Sequence, residues 1–208
     1  MTAESAVAVG TMSREESAVA VGTMSREESA AQRRQSLNRI GLWLFILSET
    51  FLFSALLSSR FFLQGLHRSE DLDQVLGLGI TFVLIWSSFT AYRAETYAFH
   101  GKQKEFSRNL IFTILLGVLF LAGVGYEWSE AFKHFPPGTG YGTLFFTMTG
   151  IHAFHVLTGL IVLGAVLWTG RRGKFTSGNT WPAEGAVKYW HFVDVAWVFI
   201  YPALYLVN

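Results

Sequence analysis

Seven ionisable side chains lie within apolar stretches of this sequence, where a charge is costly, and all but Arg60 are, with Trp190, candidates for a functional site. His152 and His155 are three residues apart, and so are His191 and Asp194, so each pair shares one face of a helix. Imidazoles and carboxylates can pass protons, bind a metal ion or pair with each other. The candidate set is Glu49, Glu127, His152, His155, Trp190, His191 and Asp194.

Three functions are compatible with this set. The first is structural, since carboxylate–imidazole pairs between helices contribute on the order of 1 kcal/mol each. The second is a metal or haem site, although two histidines three residues apart, with no third ligand on the same helix, are a weak signal for one. The third is proton or lipid handling by a carboxyl group deep in the membrane and the nearby histidines.

Apolar runs indicate the elements that would position these side chains. The chain has 208 residues, of which 51% are hydrophobic and 15% charged. A helix crosses the hydrocarbon with about 20 largely apolar residues. The sequence therefore predicts an all-α, polytopic transmembrane bundle with five spans, at about 40–64, 74–92, 109–127, 141–170 and 187–207.

The loop charges predict how the spans are oriented. Basic residues cluster before the first span and in the second and fourth loops, whereas the first loop is net acidic. Basic loops favour the cytoplasmic side, so we expect a cytoplasmic N-terminus and a C-terminus outside. The basic residues are Arg33, Arg34, Arg39, Arg93, Lys102, Lys104, Arg108, Arg171, Arg172, Lys174 and Lys188.

Residues 1–35 differ in character from the rest of the chain. "ESAVAVGTMSRE" occurs twice, at 4–15 and 16–27, with only small apolar residues, which predicts a disordered tail before a transmembrane domain at 36–208. Met12 and Met24 are alternative starts that leave every span intact. The chain has no cysteine, so thiolate chemistry is excluded, and its net charge of +1 argues against nucleic acid as a partner.

The number of residues between each candidate and the nearest basic loop gives its expected depth in the membrane. With a rise of about 1.5 Å per residue, Glu49 lies roughly 15 Å beyond Arg39, at a depth similar to that of His155, so we expect the two to pair across helices. His191 and Asp194 lie near the cytoplasmic interface, where Trp190 and the nearby Trp197 would anchor the helix. Arg60, near the outer end of its span, is expected to snorkel to the interface.

Four segments together resemble subunit III of the haem–copper oxidases. "GLWLFILSETFLF" is similar to the family's first common helix with its Ser-Glu pair, and "LIWSSFTAYRAE" to its Ser-Ser-x-Thr helix. "TGIHAFHVLTGL" resembles the Gly-x-His-x-x-His-Val helix, and "KYWHFVDVAWVF" carries the specific string Tyr-Trp-His-Phe-Val-Asp. The resemblance covers about residues 36–208, in the short form with five helices.

The resemblance implies an accessory role in a cytochrome c oxidase, within a bacterial plasma membrane. Haem and copper belong to the partner subunits I and II, so it implies no catalytic centre and no cofactor on this chain apart from structural phospholipid. It implies packing against subunit I, phospholipid binding and support of proton uptake, with a respiratory supercomplex as a wider assembly. Glu49 would be the carboxyl group associated with the lipid cleft, and His152, His155, His191 and Asp194 a buried polar set; Glu127 is the family's glutamate on the third helix.

Other assignments remain open on the sequence alone. A quinol oxidase subunit III and the accessory protein of nitric oxide reductase systems share this fold, and the electron donor is chosen on another subunit. A small membrane transporter belongs to a different class. Against it, the spans have no internal repeat and no helices broken by Gly or Pro at matching positions.

Overall fold

The described part of the chain forms five long helices and a π-helical turn. The computed structural model describes residues 3–65, 74–172 and 180–207, with side chains from 29 onward apart from 31. Every element in these ranges is helical, which confirms the all-α prediction. The elements are α1 (Ala3–Gln64), α2 (Gln74–Phe99), α3 (Gln103–His134), α4 (Gly140–Arg171), α5 (Trp181–Tyr201) and the π-helix (Pro202–Leu206).

Four helices are long and apolar enough to cross a membrane: 32–64 within α1, and the whole of α2, α3 and α4. α4 agrees with its predicted span to within one residue at each end, whereas α2 and α3 extend well past theirs. The extensions are polar, because an apolar run marks the part in hydrocarbon and not the whole helix. α5 is not among these four, and it carries Glu184, Lys188 and Asp194 within 21 residues. The fifth predicted span, 187–207, begins six residues after the start of α5 and continues through the π-helix.

The first helix begins much earlier than the first predicted span. The backbone is helical from Ala3 through the repeat, where composition predicts a disordered tail. Half of each twelve-residue copy consists of Ala, Glu, Met and Arg, all of which favour helix. By contacts the chain divides into units 1–44 and 45–208, so the predicted boundary at 35 lies inside the first unit. The acidic first loop and Lys174 lie outside the described residues.

Local sequence explains where the helices begin and turn. Gly101 has a φ of +68° between α2 and α3, a conformation that suits glycine. Thr139 is the N-cap of α4, and its Oγ1 accepts a hydrogen bond from the Gly142 backbone N–H at 3.0 Å. Pro182 occupies the first turn of α5, where a missing N–H costs nothing.

The described apolar core lies among α2, α3, α4 and α5, and Phe53 is the residue that α1 adds to it. Most other apolar side chains of α1 from residue 45 onward are exposed, including Phe51 at 69% and Phe62 at 88%. α1 thus presents much apolar surface for lipid or another protein to cover.

Trp190 of α5 fills a slot between α3 and α4. The indole is fully buried, and the slot exists because Gly117 and Gly159 lack a Cβ atom. A Cβ atom added at Gly117 would lie 2.6 Å from Trp190 Cη2, and one added at Gly159 would lie 2.8 Å from Trp190 Cε3. Two glycines on separate helices therefore admit the largest side chain in the core.

Candidate functional site

A carboxylate–imidazole pair joins α1 to α4. Oε2 of Glu49 lies 3.0 Å from Nε2 of His155, which confirms the contact that depth arithmetic predicts. The two side chains are 18% and 10% exposed. The antiparallel register agrees, because the Gln64 amide approaches Gly140 at the same distance along each helix from the pair.

The hydrogen bonds of His155 determine how many protons the pair holds. Its Nδ1 lies 2.8 Å from the carbonyl oxygen of Ile151, which can only accept, so Nδ1 carries a proton. The contact between Nε2 and Glu49 Oε2 then requires a proton on one of those two atoms. The pair is either an acid beside a neutral imidazole or a carboxylate beside an imidazolium, and both have zero net charge. Such a pair can hold a proton at low dielectric without a net charge.

Aromatic and phenolic groups surround this pair. The ring of Phe53, one turn along α1 from Glu49, lies 5.1 Å from that of His155. From α5, the Tyr189 hydroxyl donates to the His155 carbonyl oxygen at 3.3 Å, and its ring lies 6.0 Å from that of Phe45. Tyr189 stands in the Tyr-Trp-His string, and no polar contact of its hydroxyl was expected from the sequence.

His152 differs from His155 although it is only one turn away. It is fully buried, and neither ring nitrogen has a hydrogen-bond partner among the described residues. Its ring centroid lies 4.8 Å from that of Trp197, 5.7 Å from that of Phe120 and 6.3 Å from that of Phe53. The structure therefore puts His152 in an aromatic enclosure beside the pair, not in a direct hydrogen-bonded relay with it.

A row of hydroxyl groups on α2 forms hydrogen bonds with polar side chains of α5. Trp197 Nε1 donates to Thr81 Oγ1 at 2.9 Å, and Trp190 Nε1 donates to Ser87 Oγ at 3.0 Å. His191 Nδ1 lies 2.5 Å from Ser88 Oγ. We call Thr81, Ser87 and Ser88 the hydroxyl row. The six residues from Thr81 to Ser87 correspond to the seven from Trp197 back to Trp190, a match that only a comparison of two helices reveals.

The two tryptophans correct a prediction. Both were expected to anchor α5 at the membrane interface, yet both are 0% exposed. Their rings lie inside the bundle because glycines and small residues on the other helices leave room for them, and their N–H groups find hydroxyl acceptors there.

Asp194 lies beside the same row. Its side chain interacts with Ser88 and is 4% exposed, and neither oxygen makes a hydrogen bond of ordinary geometry within the described part of the chain. Together with His191 it brings two ionisable groups of α5 against one serine of α2. The polar residues near the predicted cytoplasmic end of α5 thus contact a neighbouring helix.

Glu127 and Arg60 lie far from the Glu49–His155 pair, toward the opposite end of the bundle from Lys102. Glu127 is 3% exposed and interacts with the Tyr205 hydroxyl. Arg60 was expected to snorkel, but it is 0% exposed. Its Nη1 donates to the Gly65 carbonyl oxygen at 2.9 Å, and the guanidinium lies 5.7 Å from the Tyr141 ring. These contacts hold the Arg60 guanidinium against the protein, at the level where α1 ends and α4 begins.

The arrangement suits proton holding and helix attachment better than metal binding. Across the described ranges, no three His, Asp or Glu side chains converge as ligands to one ion would. The candidate residues occupy three places instead: the Glu49–His155 pair, the hydroxyl row with His191 and Asp194, and Glu127 beside Tyr205.

Comparisons with known proteins agree on one family. The family described as "Cytochrome c oxidase subunit III" matches residues 17–208. "Probable cytochrome c oxidase subunit 3" of Mycobacterium leprae is 30% identical, over 85% of this chain and 93% of that protein. "Probable quinol oxidase subunit 3" of Staphylococcus aureus strain USA300 is 34% identical, over 83% of this chain and 90% of that protein. Both similarities extend over nearly the whole molecule.

Proposed function

The chain belongs to the cytochrome c oxidase subunit III family of membrane-embedded accessory subunits, and from this premise we propose how it acts in a haem–copper oxidase. It is an accessory subunit of an oxidoreductase complex. We assign it to a bacterial plasma membrane, beside subunits I and II, which carry the haem and copper. The bacterial relatives support that location, and the exposed apolar surface of α1 supports a role for protein or lipid contacts.

All five helices cross the membrane in this proposal, with the N-terminus in the cytoplasm. Basic side chains near the start of α3 and the end of α4 support the orientation. The charges of α5 are compatible with a span because Lys188 forms an ion pair with Glu184 and Asp194 is buried against Ser88. With the helices antiparallel in sequence, Glu49 and His155 lie at mid-depth.

The Glu49–His155 pair carries the proposed support of proton uptake. The supporting observation is the 3.0 Å contact between Oε2 and Nε2, with Nδ1 already donating to Ile151. One proton lies in that contact and can sit on either atom. If the pair releases this proton to one side as it takes another from the other side, no net charge is left at the bilayer centre. Bound phospholipid on the exposed face of α1 would keep bulk water from the pair.

Replacing Glu49 by Gln tests the proton role separately from the structural role. A glutamine amide can donate to Nε2 of His155 and keep one hydrogen bond, but it cannot give up a proton. We expect E49Q to assemble normally and to lose proton uptake during sustained turnover. E49L leaves Nε2 without a partner, so we expect it to cost about 1–3 kcal/mol of stability as well. Stopped-flow proton uptake and thermal unfolding of the assembled oxidase measure the two effects.

The control for this pair is an exposed carboxylate. Glu130 pairs with Lys133 at 2.8 Å on the surface of α3, and its side chain is 47% exposed. E130Q is expected to change neither proton uptake nor stability, because surface ion pairs contribute little. Native proton uptake in E49Q would rule out the proton role and leave a structural pair.

The electron donor of the complex is either cytochrome c or a quinol. We propose a cytochrome c oxidase, and a quinol oxidase is the second candidate because a relative bearing that name is 34% identical. Purification of the tagged chain in mild detergent, followed by an optical spectrum, separates them. We expect copurified haem together with the dinuclear copper centre of a cytochrome c oxidase. Haem without that centre would assign the chain to a quinol oxidase or to nitric oxide reductase, and absence of any haem partner would favour a transporter.

A further inference from the structure

Four aromatic side chains lie in one line along α5 and the π-helix. Their positions are seven, four and four residues apart, a spacing that keeps them on one face of a helix. None of them is more than 7% exposed. With a rise of about 1.5 Å per residue, the line is about 20 Å long, and it starts near the predicted cytoplasmic end of α5. We call it the aromatic line, and its members are Trp190, Trp197, Tyr201 and Tyr205.

The two tyrosines end the aromatic line as a stacked pair. Their ring centroids lie 5.0 Å apart, with an angle of 25° between the ring planes. Both rings lie against Gly77 of α2, where an added Cβ atom would be 2.8 Å from Tyr205 Cε1 and 3.2 Å from Tyr201 Cε2. The missing side chain of one glycine therefore leaves room for both rings.

The Tyr205 hydroxyl meets a buried carboxyl group. It interacts with Glu127 of α3, and the two side chains are 0% and 3% exposed. Arg60 is also fully buried at this end of the bundle, and its guanidinium lies 5.7 Å from the ring of Tyr141, which itself interacts with Tyr205. Buried polar groups are costly, and a phenylalanine at position 205 would fill the same space without a hydroxyl. The contact between Tyr205 and Glu127 is therefore more than packing requires.

The chemistry available to the aromatic line is one-electron oxidation. Indole, phenol and thiol groups are the side chains that most readily lose one electron, and this chain has no cysteine. Both indole N–H groups donate to a hydroxyl oxygen, Trp190 to Ser87 at 3.0 Å and Trp197 to Thr81 at 2.9 Å. Such a bond is stronger when the indole carries a positive charge, so it stabilises the oxidised ring. A phenol that loses an electron becomes a strong acid, and the Glu127 carboxylate is the base beside Tyr205.

We propose that the aromatic line carries one-electron oxidation through the bundle and ends it at Tyr205. The oxidant is an oxygen-centred radical, of the class formed when dioxygen is incompletely reduced. It takes one electron from Trp190 and one proton from water at the cytoplasmic interface. Trp190 regains an electron from Trp197, which regains one from the stacked tyrosines. Tyr205 loses one electron to the line and its phenolic proton to Glu127, so the products are the reduced oxidant, a neutral tyrosyl radical and a protonated glutamic acid.

This activity protects the membrane interior and goes beyond the accessory role. The oxidising equivalent moves from the cytoplasmic side to a ring that is 0% exposed, where no lipid chain touches it. It depends neither on proton uptake by the Glu49–His155 pair nor on bound phospholipid.

A tethered photo-oxidant tests the line in the assembled oxidase in nanodiscs. Because the chain has no cysteine, V118C gives this subunit a single attachment point. Val118 is 51% exposed and adjoins Gly117, which lies against Trp190. A ruthenium(II) polypyridyl complex is coupled there and oxidised by a light flash with persulfate. We expect a tyrosyl radical in the light-minus-dark electron paramagnetic resonance spectrum, with hyperfine splitting that collapses when the tyrosine rings are deuterated.

Three variants in the V118C background locate the radical and its proton. Y205F keeps the ring and loses the hydroxyl, so we expect the tyrosyl signal to be lost. E127Q keeps a polar partner but removes the base, so we expect a tryptophan radical in place of the tyrosyl radical. W197F interrupts the line, and the tyrosyl signal should be lost because the remaining step is too long.

Exposed residues of the same types provide the controls. Tyr126 is 60% exposed and adjoins Glu127, and Trp86 is 53% exposed on α2. Y126F and W86F should leave the tyrosyl signal unchanged. The native chain without V118C, treated in the same way, gives the signal from label bound elsewhere in the complex. Proton uptake by Y205F should equal that of the native oxidase, so the aromatic line can fail without any change at Glu49.

Four outcomes would overturn the proposal. One is the absence of any light-induced tyrosyl radical above the unlabelled background. A full signal in Y205F would place the radical on another tyrosine. A full signal in E127Q would mean that Glu127 does not take the proton, and a full signal in assembled W197F would mean that no electron passes along the line. If W197F does not assemble, Y205F and E127Q decide, since each keeps the shape of the native side chain.

Discussion

Replacing Trp190 by alanine is expected to lower the stability of the bundle by about 3–5 kcal/mol, because a buried tryptophan leaves a large cavity when it is removed. The side chain is 0% exposed, and its indole N–H donates to Ser87 across the α2–α5 contact at 3.0 Å. The W190A substitution therefore removes both packing among three helices and a bond to a fourth. Thermal unfolding of the purified complex, with retention of the chain after detergent extraction, measures the loss.

Two further variants separate the hydrogen bond of Trp190 from its packing and compare it with an exposed tryptophan. W190F keeps a ring but has no N–H, so a cost of about 1–2 kcal/mol is expected, mainly from the lost hydrogen bond and a smaller cavity. Trp86 on α2 is 53% exposed, and W86A should cost less than 1 kcal/mol. A similar loss for W190A and W86A would contradict the slot between Gly117 and Gly159.

A single added methyl group should distinguish two glycines of α4. A Cβ atom at Gly159 would lie 2.8 Å from Trp190 Cε3, whereas one at Gly164 meets nothing within 4 Å. Alanine favours a helix over glycine by about 1 kcal/mol, so G164A should stabilise the chain slightly. G159A should destabilise it by about 1–3 kcal/mol, since Gly117 blocks the opposite side of the indole and the ring cannot move away.

The two substitutions should couple. In the W190F background the smaller ring leaves room for the added methyl group, so G159A should cost less there than in the native chain, by about 1 kcal/mol or more. Unfolding of the native chain, both single variants and the double variant gives the coupling free energy. Strict additivity would show that Gly159 and position 190 do not touch.

Features that depend on length and depth were predictable from the sequence. The apolar run gave α4 within a residue, because its polar boundaries coincide with its ends. The Glu49–His155 contact followed from counting residues inward from the basic loops, since the rise per residue of a helix is fixed. Both predictions rest on positions measured along a single helix, and neither requires knowledge of how side chains pack between helices.

Features that depend on a second helix were not predictable. A tryptophan near the end of a span suits a membrane interface as well as a core, and only Gly117 and Gly159, on other helices, decide between them. The burial of Arg60 was not predictable because the Tyr141 ring that its guanidinium faces lies on another helix. The side chains of Lys104 and Arg108 on α3 likewise line one surface cleft with Arg171, more than sixty positions along the chain.

The hydroxyl row has a consequence for biosynthesis. The acceptors Thr81 and Ser87 emerge from the ribosome long before the α5 tryptophans that satisfy them. The π-helix comes later still, and its Leu204 carbonyl oxygen accepts from the Tyr141 hydroxyl of α4 at 3.0 Å. α2 and α4 therefore enter the translocon or the lipid before the polar groups that face α5 and the π-helix have found their partners. In a chain that stops before α5, these polar groups would never be paired. We expect membrane proteases to degrade such a truncated chain.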